Sequence, residues 1–204
     1  MVKGTKGDDV ITVALKADDA SRIVVNFNGV EKEFALAKVK RVFVNAKRGN
    51  DTVTIDETNG AILVKTQMVG GGGNDSLTGG SGKDKLLGGA GDDVLSGMAG
   101  TDLLVGADGA DQLFGGTGVD RLFGGEGNDD LNGGDDDDLL DGEEGDDSVD
   151  GGLGMDQLFG GEGADVFDGV DDDVSEVLDQ DETDPLVEEE EEEEVENVDE
   201  DPVV

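Results

Sequence analysis

Residues 70–168 read GGGGNDSLT, GGSGKDKLL, GGAGDDVLS, GMAGTDLLV, GADGADQLF, GGTGVDRLF, GGEGNDDLN, GGDDDDLLD, GEEGDDSVD, GGLGMDQLF and GGEGADVFD, from Gly70 to Asp168 without a gap. Eleven nine-residue units stand in tandem. Position 1 is glycine in all of them, position 4 in ten and position 2 in eight. Position 6 is always aspartate: Asp75, Asp84, Asp93, Asp102, Asp111, Asp120, Asp129, Asp138, Asp147, Asp156 and Asp165. Position 8 is always apolar, from Leu77 through Leu86 and Leu95 to Val149, Leu158 and Phe167.

Glycine tolerates the positive φ values and close backbone approach that a tight turn demands. Each unit therefore predicts a six-residue turn followed by a three-residue strand. In the strand, a period of two sends the position-8 side chain to one face and its neighbours to the other. Such a unit is too short to own a core, and a fixed period instead signals a solenoid whose stacked units bury a shared one. Two units make one flattened coil, with a turn on each side.

The aspartates cannot be read as plain solvated charge, because low complexity would not keep Asp at position 6 and an apolar residue at position 8 in every copy. Between residues 70 and 168 there are 25 acidic side chains against Lys83, Lys85 and Arg121. Glycine is costly to order and like charges repel, so a thin row of position-8 side chains needs cationic help. Carboxylates beside exposed carbonyls are hard oxygen ligands, the donor set that selects calcium over imidazole-seeking or thiolate-seeking metals.

The pattern GGxGxDxUx, as in GGAGDDVLS and GGTGVDRLF, resembles the RTX or hemolysin-type calcium-binding nonapeptide repeat. That resemblance implies an all-β fold, a right-handed parallel β-roll, with Ca²⁺ held between turns stacked on the same side. It also implies that the ligands are the position-6 carboxylates and the carbonyls of the GGxGxD turn. One side would use Asp75, Asp93, Asp111, Asp129, Asp147 and Asp165, and the other Asp84, Asp102, Asp120, Asp138 and Asp156. Filling every adjacent pair takes about nine ions. Asp136 replaces the position-4 glycine, and Met98, Ala107 and Glu143 replace position 2. A β-carbon there is strained, so sites touching Asp102, Asp111, Asp138 and Asp147 are expected to suffer.

Residues 1–69 predict short strands that form a β-rich N-terminal cap continuous with the roll, with a separate small sandwich as the alternative. Asn28-Gly29 between runs 22–27 and 30–35 is a strong two-residue hairpin signal. Further strands are expected over 39–45, 52–55 and 61–69. Two degenerate copies of the unit place Asp9 and Asp51 at position 6; with no identifiable partners on a neighbouring coil, they are expected to form turns rather than bind metal. Residues 169–204 lose the period and carry seven consecutive glutamates at 188–194. That composition predicts a disordered acidic tail.

The net charge of −39 argues against nucleic acid or an anionic membrane as partner and favours cations. No 18-residue apolar run exists, so no membrane insertion is expected. The start, MVKGTKGDDV, has no apolar segment of the Sec type. With no His and no Cys, the common triads and His-based zinc sites are excluded, and with no Trp or Tyr there is nothing to stack a sugar; the chain is not expected to be an enzyme. The expectation is a monomeric, extracellular or cell-surface protein that folds on calcium. The alternative is a structural or adhesive protein that uses the roll as a calcium-stiffened spacer against cell-surface or matrix components.

Overall fold

The computed structural model describes residues 1–168 and the strand Val177–Asp179. Among the described residues the regular structure is strand, apart from one 3-10 turn at Leu36–Lys38. The strands form two sheets, and the chain alternates between them. One has nine strands in the order Val2–Lys3, Arg41–Asn45, Lys65–Gly72, Asp84–Ala90, Leu103–Asp108, Arg121–Glu126, Leu139–Glu144, Gln157–Glu162 and Val177–Asp179. The other has ten, running from Val166–Asp168 back through Ser148–Leu153, Asp130–Asp135, Gln112–Thr117, Val94–Ala99, Ser76–Thr78 and Thr52–Asp56 to Val10–Lys16. It ends in the antiparallel strands Asp19–Phe27 and Val30–Ala35. The fold is the expected all-β parallel roll with a β-rich N-terminal cap.

Two units do make one coil. Leu104 pairs with Leu86 on one side and Leu122 on the other, each eighteen positions away, while Leu113 does the same with Leu95 and Leu131 in the opposite sheet. All eleven position-8 side chains are fully buried. Two columns result. One runs Ile11, Val53, Leu77, Leu95, Leu113, Leu131, Val149, Phe167, and the other Val44, Met68, Leu86, Leu104, Leu122, Leu140, Leu158. Stacking each inward residue on its equivalent gives a chain without a conventional core a continuous dry spine.

Between Asp84 and Glu162 the strands are longer than the three residues expected, whereas Ser76–Thr78 and Val166–Asp168 keep that length. Leu103–Asp108 covers positions 7 to 9 of one unit and 1 to 3 of the next, because the parallel ladder carries on through Ala107↔Gly125 and Asp108↔Glu126. The bend lies inside the ladder, at position 2, where Gly89 and Gly125 have φ of 128° and 126°. Identical bends stack in register, so hydrogen bonding survives them. Met98, Ala107, Glu143 and, at position 4, Asp136 adopt the same left-handed backbone, with φ of 78°, 92°, 74° and 78°.

The cap grows from the same two sheets. Ile11 pairs with Val53 and Val53 with Leu77, so its apolar residues prolong the spine. Asn28 and Gly29, at φ 49° and 82°, make the predicted hairpin turn. The outer strand of that hairpin exposes Glu31, Lys32 and Glu33, charges that blunt a sheet edge against further pairing. At the other end Val177–Asp179 pairs in parallel with Gln157–Phe159, adding a rung within the segment expected to be a disordered tail. The remainder of that tail lies outside the described residues.

Candidate metal centre

The backbone of each coil puts its two position-6 aspartates at opposite edges of the roll, so two rows of carboxylates run along it. In the first row the backbone N–H of Asp75 donates to Asp93 Oδ1 at 2.6 Å, Asp93 to Asp111 at 2.7 Å, Asp111 to Asp129 at 2.7 Å, Asp129 to Asp147 at 2.8 Å and Asp147 to Asp165 at 2.8 Å. In the second, Asp84 donates to Asp102, Asp102 to Asp120 and Asp120 to Asp138, each at 2.7 Å, and Asp138 to Asp156 at 2.8 Å. The two sets of aspartates are thus brought together as the coil period predicts. Each rung next to Met98, Ala107, Asp136 and Glu143 keeps its hydrogen bond.

Every one of these carboxylates is buried, with no more than 3 % of its surface exposed. One oxygen, Oδ1, is satisfied by the neighbouring coil. The other, Oδ2, has no hydrogen-bond partner in Asp75, Asp93, Asp102, Asp111, Asp120, Asp129, Asp138, Asp147 and Asp156. A buried carboxylate oxygen left without a partner is expensive, which makes a whole row of them a demand for a cation.

The surroundings suit calcium. A β-carbon placed on Gly88 would stand 2.3 Å from Asp93 Oδ2 and 2.8 Å from the carbonyl oxygen of Gly106 on the next coil. On Gly124 the same atom would meet Asp129 Oδ2 at 2.3 Å and the Gly142 carbonyl at 2.6 Å. Position 1 is glycine because a carboxylate oxygen and a carbonyl oxygen from successive coils converge there. Among the described residues no three carboxylates gather round one point. A cation between coils must therefore complete its shell with backbone carbonyls, which the stacked turns supply in number. These are hard, neutral or anionic oxygens, and the donor set fits calcium.

Electrostatics point the same way. Burial, opposed by the backbone N–H bond and reinforced by neighbouring carboxylates, pushes Asp93, Asp102, Asp129 and Asp138 up to about 7. Burial likewise raises Asp75, Asp120 and Asp147 to about 6 and lifts Asp84, Asp111 and Asp156 above the usual range. Without a cation, the row resists its own ionisation.

Three features were not anticipated. Asp9 and Asp51 do have partners: the N–H of Asp9 donates to Asp51 Oδ1 at 2.6 Å, and that of Asp51 to Asp75 Oδ1 at 2.7 Å. Both side chains are buried and continue the first row into the cap. Asp84 differs from its row, since its Oδ2 accepts the Gly80 N–H at 2.8 Å. Finally, position 5 forms an outer row of opposite sense, in which Asn50 Oδ1 accepts the Asn74 N–H, Asn74 Oδ1 that of Asp92 and Asp92 Oδ1 that of Ala110, at 3.0, 3.2 and 3.2 Å. The signal for it was Asn or Asp at position 5 of alternate units, as in Asn74, Asp92, Asn128 and Asp146.

A parallel β-roll with glycine turns and buried aspartate rows defines a cation-binding solenoid. Residues 69–104, 96–131, 105–140, 123–158 and 141–173 match the family described as RTX calcium-binding nonapeptide repeat (4 copies). The chain belongs to this family of calcium-binding repeat proteins. No curated protein matches it. Among the described residues no helix is long and apolar enough to cross a membrane.

Proposed function

We propose that this chain binds calcium ions between successive coils through Asp75, Asp93, Asp102, Asp111, Asp120, Asp129, Asp138, Asp147, Asp156 and Asp165, and that the ions drive folding of the repeats outside the cell. One observation carries this reading: the unpartnered Oδ2 of nine buried, in-register aspartates, Asp75, Asp93, Asp102, Asp111, Asp120, Asp129, Asp138, Asp147 and Asp156. A bound calcium ion supplies two positive charges to carboxylates that otherwise repel.

The residues prepare the rest. Each Oδ1, held by the N–H of the preceding coil, fixes the side chain so that Oδ2 faces the space above the position-1 glycine. Each Leu, Val or Phe at position 8 holds the two coils at their spacing. Folding and ion binding are then one event, since the site exists only when two coils are stacked. About nine ions would bring about +18 to a region of net −22. Extracellular calcium modules work at about 10⁻⁴–10⁻³ M, a concentration met outside cells rather than in cytosol.

The test is far-UV circular dichroism of the purified chain titrated with Ca²⁺, with Mg²⁺ as control. A cooperative gain of strand signal near millimolar Ca²⁺, absent with Mg²⁺, is expected. A spectrum indifferent to calcium would overturn the proposal.

A further inference from the structure

Membership of the repeat and availability of Oδ2 do not coincide along the two rows. At the N-terminal end of each they part company, in opposite directions.

Asp51 lies outside the eleven units, 24 residues before Asp75, yet its turn has the repeat geometry. Lys47 and Gly49, at positions 2 and 4 of its unit, have φ of 90° and 111°. Their N–H groups donate to the carbonyls of Gly70 and Gly72 at 2.7 and 2.9 Å, and Gly73 and Gly91 make the same position-4 bond to Ala90 and Asp108. Asp51 is 1 % exposed, its Oδ1 accepts the Asp9 N–H, and its Oδ2 has no partner. Ala46, fully buried, stands at position 1 where the repeats have glycine.

The row stops one coil earlier. Asp9 Oδ2 accepts the Thr5 N–H at 2.5 Å, and its Oδ1 accepts Asn28 Nδ2 at 2.7 Å. The Lys47 ammonium donates to the Gly4 carbonyl of the same turn. Protein groups fill the place of the missing coil.

Asp84 is inside the repeats but closed. Its Oδ1 accepts the Thr66 N–H at 3.2 Å and its Oδ2 that of Gly80 at 2.8 Å. The cause is visible in the turn. Gly80 and Gly82 lack the positive φ found at positions 2 and 4 of every other unit. Glu57 reaches in from the cap and accepts the Ser81 N–H at 2.9 Å and its hydroxyl, and a β-carbon on Gly82 would stand 3.2 and 3.1 Å from the carbonyl oxygens of Ile62 and Val64. The turn is redirected, and its position-2 N–H falls on its own aspartate instead of on the next coil.

We infer that the metal-bearing rungs are set by the open Oδ2 rather than by the repeat: Asp51, outside the repeats, holds a calcium ion with the turns of residues 46–51 and 70–75, whereas Asp84, inside them, holds none. One interval is gained and one lost, so the total stays at about nine ions while the membership changes. The inference rests on the calcium-binding function proposed above.

Native mass spectrometry of the full chain at saturating Ca²⁺ counts the ions directly, in the wild type and in D51N, D84N and, as control, D120N. Asparagine keeps an acceptor oxygen for the neighbouring N–H, and circular dichroism in calcium verifies that each variant folds. The expected counts are one ion fewer for D51N and D120N and no change for D84N. An unchanged count in D51N, or a lost ion in D84N, would overturn the inference even though the wild type binds calcium. Should D51N fail to fold, hydrogen exchange of the wild type decides: Asp9 and Asp51 amides whose protection is the same in calcium and in chelator overturn it. A wild type that takes up no calcium would instead remove the proposed function itself.

Discussion

The N–H of Asp51 donates to Asp75 Oδ1 at 2.7 Å, and this bond joins the cap to the first repeat. It has the geometry of every later rung, from Asp75 on Asp93 to Asp147 on Asp165. The cap is thus the first two coils of the roll, with irregular insertions, and it offers the repeats a formed surface on which to stack.

The ligand role proposed for position 6 should show in cooperativity. Asp120 is fully buried, its Oδ1 holds the Asp102 N–H, and its Oδ2 is open. Asp120→Ala is expected to lower the Hill slope of the calcium titration and raise its midpoint several-fold, because a broken rung separates the stacks on either side. Asp171→Ala, beyond the last repeat, is expected to change neither. Equal effects of the two substitutions on the circular dichroism titration would defeat the ligand assignment.

The spine predicts a different loss. Leu113 is fully buried between Leu95 and Leu131. Leu113→Ala leaves a cavity that flanking coils cannot close, at about 2–5 kcal/mol. Urea unfolding in saturating calcium measures it. The ion count should stay as in the wild type, which separates a core defect from a ligand defect.

With calcium absent, pH should act in an unusual direction. Asp93, Asp102, Asp129 and Asp138 are pushed up to about 7, by burial first, from an ordinary value of 3.8. A carboxyl raised on folding binds its proton more tightly in the folded chain, so its contribution to stability is complete below 3.8 and is lost as pH climbs towards 7. In chelator, the strand signal is expected to be greater at pH 5 than at pH 8. A signal that grows with pH would mean that these carboxylates are not buried in the metal-free chain.

Much of this architecture is legible in the residues and some is not, for physical reasons. Asp at position 6 and Leu at position 8 recur at a fixed interval, so coil period, inward face and paired rows follow from counting. Asp9 and Asp51 escape the count because insertions put their partners 42 and 24 residues away instead of 18. The closure of Asp84 escapes because it depends on Glu57 and on the carbonyls of Ile62 and Val64, distant contacts that no local pattern announces. Glycine misleads in its own way. Read as a turn-former, it hid the ladder that passes through positions 1 to 3 in strands such as Leu103–Asp108.

Met98 offers a test of that bend. It occupies position 2 with φ of 78°, and its side chain is half exposed, so it pays for left-handed backbone with little packing in return. Gly116, its partner on the following coil, sits at φ 110° with no such penalty. Met98→Gly should relieve about 1–2 kcal/mol of backbone strain, less about 1 kcal/mol for the freedom glycine adds to the unfolded chain. The net gain is expected to be small but positive, read as a higher urea midpoint in saturating calcium. Gly116→Met should do the reverse and more, since a β-carbon there would stand 2.1 Å from the Met98 carbonyl oxygen. If both substitutions left the midpoint unchanged, the left-handed bend at position 2 would not be a feature of the folded roll.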